Sequence, residues 1–332
     1  MYNKFFSHIY VERQALKYET TGFILKKFKN SEIIYIDHYK DVFSRKHQDF
    51  MHQKNCQSII LAVNNEKSVY KGAPVCQSFG NEHFYYCSNI KNCIFDCEYC
   101  YLQGMYTSAN IVIYVNIEDI FKEVDSIAEK HPVYLCISYD TDLIALDGIT
   151  GFLAKWNDYV CKRKNITIEL RTKCGYSSFI ENCSNYINDN MIFAWTLSPD
   201  FVINRYEHKT AELKQRLKAV NYVINNGGRI HLCFDPLIYC EDFEQVYGEM
   251  FKEVFSAIDS TKVEGVSIGT FRISRAYLKN MRKNRVSAVT YYPYECHNGV
   301  YEYGDEINSK MLGFARKKIE EYISVDIIFE GN

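Results

Sequence analysis

The sequence predicts an α/β protein in which six strands alternate with helices. Six short β-rich runs separated by helical patterns, between residues 84 and 275, are the first observation behind this class. The second is that the strand cores are almost continuously apolar, as expected when both faces of a parallel sheet are covered. Six such units can form a barrel or a partial barrel, and a doubly wound sheet fits the same alternation.

Each strand prediction depends on a short run rich in branched and aromatic residues. The predicted strands are 84–89, 133–138, 166–172, 191–198, 229–238 and 263–271. The predicted helices between them are 117–131, 150–163, 177–187, 211–226 and 243–258. Gly227 and Gly228 are predicted to end the helix before the fifth strand. Strand–helix alternation implies parallel pairing through right-handed crossovers.

The two ends of the chain do not follow this alternation of strands and helices. Residues 1–83 contain a helical run and two β-rich runs, and we predict a small separate α/β element there. Residues 84–275 form the alternating part. Residues 276–332 finish with a helical pattern and an edge strand, so we predict a C-terminal extension.

Composition and charge restrict the class of protein. With 332 residues and 47% hydrophobic content, the chain can bury a large core. No apolar run reaches membrane-span length and the N-terminus lacks a signal pattern, so we expect a cytoplasmic protein without a membrane partner. A net charge of −2 gives no global attraction to nucleic acid. DNA contact would need a local basic face, such as 26–30 or 279–285, although such runs are usually only solvated surface.

Three of the thirteen cysteines lie close together, as Cys93-x3-Cys97-x2-Cys100. A [4Fe–4S] cluster takes four ligands, normally thiolates, so three protein thiolates leave one iron open. Zinc also binds thiolates, but zinc sites usually pair one C-x2-C with a second, and this sequence has no second C-x2-C. The spacing therefore favours a [4Fe–4S] cluster over zinc.

Polar side chains follow every predicted strand. In a parallel α/β barrel the chemistry gathers at the carboxyl ends of the strands. The residues found there, beyond the three cysteines, are Cys136, Ser138, Asp140, Asp142, Lys173, Cys174, Thr196, Ser198, Asp235, Thr270 and Arg272. Six polar strand ends beside apolar strand cores indicate one concave site.

The C-x3-C-x2-C motif, with Tyr99 before its last cysteine, resembles the radical S-adenosylmethionine (SAM) superfamily. This resemblance implies a partial (β/α)6 radical SAM barrel with a [4Fe–4S] cluster held by Cys93, Cys97 and Cys100. It also implies that the open iron binds the methionine part of SAM, and that one-electron cleavage gives a 5′-deoxyadenosyl radical.

A longer set of motifs is similar to the spore photoproduct lyase family. The motifs are CEYCYLQ (97–103), Cys136-x-Ser138, RTKC (171–174) and WTLSPDFVINRYEHKTAELKQRL (195–217), and the likeness covers about residues 84–275. It implies a carbon–carbon lyase that repairs DNA by returning 5-thyminyl-5,6-dihydrothymine to two thymines. DNA would then be a partner, together with an electron donor such as a flavodoxin or ferredoxin.

The same resemblance implies roles for individual residues. The hydrogen-donating cysteine falls at Cys136, and the paired tyrosines that return the radical to the cofactor fall at Tyr99 and Tyr101. The cofactor contacts implied are Tyr99, Ser138, Lys173, Thr196, Ser198 and Asp235. These roles agree with bond strengths, because a thiol S–H is weaker than a C–H and a phenol O–H is close in strength to a thiol.

Two features differ from the family pattern. The segment after Ser138 contains extra residues and acids, including Asp140 and Asp142, and residues 291–306 contain no lysine or arginine where the family has a basic, tyrosine-rich hairpin. A related radical enzyme that acts on a peptide, a nucleoside or RNA is therefore a second hypothesis, which an acidic rim at Asp140 and Asp142 would favour. A non-catalytic iron–sulfur or zinc protein is the third.

Overall fold

Six parallel strands form the centre of the computed structural model, which describes residues 6–73 and 76–331. In chain order they are Phe84–Cys87, Val133–Cys136, Ile166–Thr172, Met191–Thr196, Arg229–Leu237 and Val263–Thr270, named here barrel strands 1 to 6. Each pairs in parallel with the next, in the order of the sequence. The predicted α/β class and its six-strand alternation are confirmed.

The sheet is extended by one strand at each edge. Val69–Lys71 pairs antiparallel with barrel strand 1, and Ile328–Glu330 pairs in parallel with barrel strand 6. Within the described part of the chain these two outer strands do not pair with each other, so the eight-stranded sheet stays open as a partial barrel. The doubly wound alternative is wrong, because strand order follows sequence order from barrel strand 1 to 6 without reversal.

Thirteen helices lie within the described residues. Their bounds are Glu19–Lys27, Lys40–Phe43, Phe50–Asn55, Leu102–Met105, Ile117–Ala128, Leu143–Thr150, Phe152–Val160, Tyr176–Asn182, Asp200–Tyr206, Leu213–Asn225, Phe243–Ala257, Arg275–Asn284 and Asp305–Ile319. The predicted helix 150–163 begins at Phe152, because Gly151 adopts φ +64° and separates two helices there. Gly227 has φ +72° and follows the end of the helix Leu213–Asn225, as predicted.

A second sheet joins the N-terminal segment to the region of the three cysteines. His8–Glu12, Glu32–Ile36, Ile59–Ala62 and Ile111–Tyr114 pair in parallel, and Ile90–Lys91 adds an antiparallel strand. Two of these strands come after residue 84, so the pairing crosses the predicted boundary between 83 and 84. The division into 1–83, 84–275 and 276–332 stays a prediction.

The two sheets share one apolar core. Ile9 and Ile111 of the second sheet, Leu135 of barrel strand 2 and Trp156 of a covering helix are all fully buried in the same cluster. A continuous core makes the two sheets one rigid support for whatever lies between them. Over residues 6–73 and 76–331, no helix combines the length and apolarity needed to cross a bilayer.

Candidate active site

The three clustered cysteines lie on a connection that is fixed at both ends by the second sheet. This connection, residues 92–101, is named here the cysteine loop, and it lies between the strands Ile90–Lys91 and Ile111–Tyr114. In its middle, Asp96–Cys97 pairs antiparallel with Glu207–His208. The Nε2 of Gln103 donates to the carbonyl oxygen of Cys97 at 2.6 Å. The loop is therefore held from three directions.

The three thiols influence one another electrostatically. Burial raises the pKa of each, to about 12 for Cys93, and the charge of Cys100 raises the pKa of Cys93 and Cys97 further. Lys54 lowers the pKa of Cys93 and Cys100, and Lys173 lowers the pKa of Cys97 and Cys100. Without a metal the thiols therefore stay protonated, and a cationic centre would take the place of the protons.

The three thiols of the cysteine loop suit an iron–sulfur cluster, although their sulfur atoms are not already arranged around a metal site within the described residues. No three His, Cys, Asp or Glu side chains in the described residues are already gathered around a metal-sized space. Cys93 and Cys100 nevertheless line one concavity beside Lys54. The backbone N–H of Phe95 donates to the sulfur of Cys93 at 3.4 Å, and N–H···S bonds of this kind adjust cluster potentials. The assignment of Cys93, Cys97 and Cys100 as ligands stays a prediction.

A buried carboxylate connects four of the predicted cofactor contacts. Glu207 accepts hydrogen bonds from the hydroxyls of Tyr99 and Ser198 and from the guanidinium of Arg216. Another Nη of Arg216 donates to the carbonyl oxygen of Thr196 at 2.9 Å. The Nζ of Lys173 lies 5.5 Å from the centre of the Tyr99 ring.

Four predicted residues, Tyr99, Lys173, Thr196 and Ser198, therefore converge on one polar wall. Glu207 and Arg216 hold this wall together, and residue-type reasoning missed both. Each lies in the stretch 195–217 that carries the family likeness. Neither follows a barrel strand directly, so a search for polar residues at the carboxyl ends of the strands does not find them. In a polar stretch a glutamate and an arginine suggest solvated surface, but these two side chains form an ion pair and are both 0% exposed. A buried ion pair is tolerated only when its polar atoms are fully hydrogen-bonded.

We expect the ion pairs in this barrel to make stability depend on acid pH. Burial alone would raise the pKa of Glu207 and Glu169, but Arg216 and Lys173 lower that of Glu207 to about 2, and Arg171 and His231 lower that of Glu169 to about 2. In the unfolded chain both carboxyls titrate near 4.5. Since the folded pKa values are depressed, this stabilisation is present above about pH 4.5 and is lost as the pH falls towards 2.

Urea denaturation of the reduced protein at pH 7, 5, 4 and 3 measures this dependence. Burial raises the pKa of Asp140, Asp142 and Asp147, and these carboxyls favour the folded state as the pH falls, so the contribution of Glu207 is measured against a variant that lacks it. Between pH 7 and 3 the wild type is expected to lose on the order of 2 kcal/mol more than that variant. Glu207→Gln is the matched variant, because it lacks one of the two titrating groups and its stability should decline less between pH 5 and 3. A variant as acid-sensitive as the wild type would contradict the assignment to Glu207.

The concave face of the sheet contains a separate cluster around Cys136. Along barrel strand 2, Val133 and Leu135 point to the main core, whereas Tyr134 and Cys136 alternate to the other face. Cys136 is fully buried and stands opposite Tyr86 of barrel strand 1. Burial raises the pKa of its thiol to about 12. Cys136 therefore has a protonated sulfur inside the barrel at neutral pH.

Tyr101 is connected to this cluster through Tyr139. The hydroxyl of Tyr101 donates to the carbonyl oxygen of Tyr139 at 2.9 Å and to Asp140 at 3.2 Å. The ring of Tyr139 stacks on Tyr86 with centres 4.3 Å apart, and its hydroxyl lies 2.9 Å from the sulfur of Cys76. Tyr101 thus belongs to the Cys136 side of the site, and Tyr99 belongs to the Glu207 side. Cys76 and Tyr139 are two further members that the sequence did not single out.

Ser138 joins barrel strands 2 and 3 beyond Cys136. Its Oγ accepts from the backbone N–H of Arg171 at 2.6 Å and donates to the carbonyl oxygen of the same residue at 3.1 Å. A hydrogen bond from Ser138 also lowers the pKa of Cys136 against the larger effect of burial. Ser138 therefore lies beside the thiol, as its two-residue spacing predicts. Its role as a cofactor contact is still a prediction.

Asp235 lies apart from the polar wall. Its carboxylate accepts two hydrogen bonds from the guanidinium of Arg272, at 3.0 and 3.1 Å. This bidentate pair joins barrel strand 5 to the strand Arg272–Ser274. The geometry gives Asp235 a defined structural partner, and its predicted contact with the cofactor remains a prediction.

The acidic rim considered from the sequence is absent at the two residues named for it. Asp140 and Asp142 are 6% and 4% exposed. Asp140 accepts from the hydroxyl of Ser88 at 2.7 Å, and Asp142 accepts from the backbone N–H groups of Ala145 and Lys173 at 3.0 and 2.8 Å. Asp142 is the N-cap of the helix Leu143–Thr150. Both carboxylates are used in hydrogen bonds inside the protein, and neither is exposed at the rim of the barrel.

A partial barrel with a three-cysteine loop at its carboxyl edge defines the chain as a radical SAM enzyme. A family model described as spore photoproduct lyase matches residues 5–293. The chain therefore belongs to the spore photoproduct lyase family, and the family prediction is confirmed.

Curated relatives carry the same description. The spore photoproduct lyase of Clostridium acetobutylicum is 24% identical over 268 residues, which are 78% of this chain and 76% of the relative. That of Bacillus subtilis is 23% identical over 258 residues, 75% of this chain and 73% of the relative.

Solved structures of spore photoproduct lyase share the fold. One, complexed with dinucleoside spore photoproduct, matches with a TM-score of 0.82 at 19% identity and covers 98% of each chain. Another, a mutant with bound AdoMet and dinucleoside spore photoproduct, matches with a TM-score of 0.80 at 19% identity over 98% of each chain. These matches confirm the partial-barrel fold over nearly the whole chain.

Proposed function

We propose that this protein is a radical SAM lyase that reverses 5-thyminyl-5,6-dihydrothymine in DNA. The observation that carries the proposal is that the family match, residues 5–293, contains both halves of the chemistry. One half is the cysteine loop, and the other is a buried, protonated thiol at Cys136 on the concave face of the same barrel. A non-catalytic iron–sulfur protein would have no need for the second half.

The cofactors of this reaction are a [4Fe–4S] cluster and SAM. When bound, they supply one-electron cleavage of SAM and thereby a 5′-deoxyadenosyl radical that abstracts a hydrogen atom from the lesion. Lys173 suits the carboxylate of SAM. Burial lowers its pKa, but the negative charge of Glu207 raises it above the usual value, so the side chain stays cationic. The hydroxyls of Thr196 and Ser198 lie on the same wall and suit the ribose.

Cys136 returns a hydrogen atom to the substrate. Because burial raises its pKa to about 12, the sulfur carries its hydrogen at neutral pH. Donation of that hydrogen atom breaks the S–H bond, forms a C–H bond on the thymine radical and leaves a thiyl radical. Tyr101, on the Cys136 side, then gives a hydrogen atom to the sulfur. The Tyr101 radical takes a hydrogen atom from Tyr99, whose hydroxyl forms a hydrogen bond to Glu207. Tyr99 regains a hydrogen atom from 5′-deoxyadenosine, and this restores the 5′-deoxyadenosyl radical.

Two partners complete the proposal. DNA supplies the lesion, and a low-potential electron donor such as a flavodoxin or ferredoxin reduces the cluster. A cytoplasmic location agrees with this assignment, because that compartment keeps free thiols reduced. All thirteen cysteines are free thiols.

The test is repair of a dinucleoside spore photoproduct by the anaerobically reconstituted protein with SAM and reductant. Wild type is expected to release thymidine. Cys136→Ala is expected to cleave SAM but to yield by-products from the unquenched thymine radical. Cys183→Ala is the matched control, since Cys183 is equally buried but lies in the main core.

Three outcomes separate the hypotheses. By-products from Cys136→Ala alone would support the assigned role. Normal repair by Cys136→Ala would remove Cys136 from the chemistry. If wild type forms 5′-deoxyadenosine but releases no thymidine, the protein acts on another substrate, and the proposed function fails.

A further inference from the structure

The helix Arg275–Asn284 lies beside the cysteine loop. It packs on the helix Leu102–Met105, which directly follows the cysteine loop. The side-chain amide of Asn280 donates to the carbonyl oxygen of Gly104 at 2.9 Å. A Cβ on Gly104 would lie 2.4 Å from the carbonyl oxygen of Tyr277, so only glycine allows this approach. The helix is thus fixed beside the catalytic loop.

The end of the same helix is tied to the cysteine loop by charge. Arg285, the residue after the helix, donates to Asp96 at 2.6 Å and lies 3.7 Å from Glu98. The side-chain amide of Asn284 donates to the carbonyl oxygen of Gln103 at 2.9 Å. These contacts hold the helix against the cysteine loop, at the edge of the barrel where the proposed chemistry takes place.

One face of this helix is a line of exposed cations. Leu278 and Met281 are fully buried and fix the inner face. Arg275, Lys279 and Lys283 are exposed and follow one another at intervals of four residues, so they lie on one face. Eight residues of helix place the first and last of them about 12 Å apart along the axis.

These cations lack acidic partners. Considering residues 6–73 and 76–331, no carboxylate lies within ion-pair distance of Arg275, Lys279 or Lys283. Like charges four residues apart destabilise a helix. In a chain of net charge −2, an unpaired basic line is a local feature that favours a polyanionic ligand.

The neighbouring hairpin cannot supply such contacts. Arg272–Ser274, which leads directly into the helix, pairs with Val300–Glu302, and this strand pairs in turn with Glu295–His297. Glu295 stands directly opposite Glu302, and His297 lies within 3.6 Å of both carboxylates. The hairpin therefore carries two carboxylates, which would repel phosphate, whereas the helix carries exposed cations.

We infer that the exposed line Arg275, Lys279 and Lys283 binds the phosphodiester backbone of DNA beside the lesion. One DNA strand carries a phosphate about every 3.4 Å along the axis, so a line of about 12 Å spans roughly three of them. The three contacts carry no base information, and they set the position of the strand beside the cysteine loop. This inference rests on the proposed function for the identity of the substrate.

The experiment compares two substrates in a triple variant, Arg275→Ala/Lys279→Ala/Lys283→Ala. For an oligonucleotide that contains the lesion, KM is expected to rise, and the slope of log affinity against log salt is expected to become shallower by about two to three. For the dinucleoside lesion, which has no flanking phosphates, kcat and KM are expected to stay unchanged. The control variant Lys130→Ala/Lys162→Ala/Lys164→Ala removes three exposed charges before barrel strands 2 and 3, at the opposite rim.

The outcomes separate this inference from the proposed function. Wild-type oligonucleotide affinity and salt slope in the triple variant would overturn the inference, as would an equal loss in the control variant. Failure of wild type to repair the dinucleoside, together with oligonucleotide binding that depends on the three cations, would support the inference and contradict the proposed function. Unchanged circular dichroism and dinucleoside turnover show that the triple variant is folded.

Discussion

Alanine at Cys93, Cys97 or Cys100 is expected to abolish both the iron–sulfur cluster and SAM cleavage. A cubane needs thiolate ligands, and two thiolates from so short a loop leave two irons without protein ligands. The wild-type protein, reconstituted without oxygen, should contain about four irons per chain. Each single variant should lose most of this iron and all formation of 5′-deoxyadenosine. Iron analysis, visible absorbance and chromatography of the nucleoside measure these quantities.

The control for this experiment is Cys161→Ala. Cys161 is an exposed thiol at the end of the helix Phe152–Val160 and belongs to neither side of the active site. This variant should keep the full iron content and wild-type SAM cleavage. A full iron content in the Cys93/Cys97/Cys100 triple variant would show that other residues hold the cluster, and the radical SAM assignment of the loop would be wrong.

Replacement of Arg216 by methionine is expected to cost about 3–5 kcal/mol of folding free energy. Both partners of the Arg216–Glu207 pair are 0% exposed, so the variant leaves a buried carboxylate without its cation. Arg216 also donates to the carbonyl oxygens of Ala211 and Thr196 and to the hydroxyl of Thr210. Urea denaturation of the reduced, metal-free protein at pH 7 measures the change through the transition midpoint.

The matched control is Arg229→Met. Arg229 forms an ion pair with Glu264 at 2.8 Å, but the two side chains are 32% and 40% exposed. An exposed pair of this kind contributes about 0–1 kcal/mol. Equal losses in the two variants would show that burial is not what makes the Arg216–Glu207 pair important. We also expect that folded Arg216→Met protein binds SAM more weakly. Arg216 positions Glu207, and Glu207 in turn accepts hydrogen bonds from Tyr99 and Ser198.

The barrel could be predicted from the sequence because each strand carries its own local signal. Barrel strand 4, for example, is the run Met191–Thr196, in which every residue is buried. Gly227 correctly predicted the end of the helix Leu213–Asn225, because glycine readily adopts the positive φ found there. The strand Ile90–Lys91 was missed because two residues are too few to carry a pattern. The strand Ile111–Tyr114 has the β-rich sequence IVIY, but it pairs with the N-terminal sheet and so lies outside the strand–helix alternation of the barrel.

The site could be predicted in part. Three predicted contacts, Lys173, Thr196 and Ser198, lie at the ends of barrel strands 3 and 4 or within two residues beyond them, and share one wall with Tyr99. Glu207 was missed because its importance comes from complete burial, which a charged residue in a polar stretch does not reveal. Asp140 and Asp142 were read as possible rim acids for the same reason, and hydrogen bonds in the folded chain place both of them inside.

The proposed chemistry depends on a cluster held by three thiolates with one iron open to SAM. Mössbauer spectroscopy of protein reconstituted with ⁵⁷Fe, recorded before and after SAM is added, tests it most directly. One iron of four is expected to change its isomer shift and quadrupole splitting on addition of SAM, while the other three keep theirs. Four irons that remain unchanged at saturating SAM would contradict it.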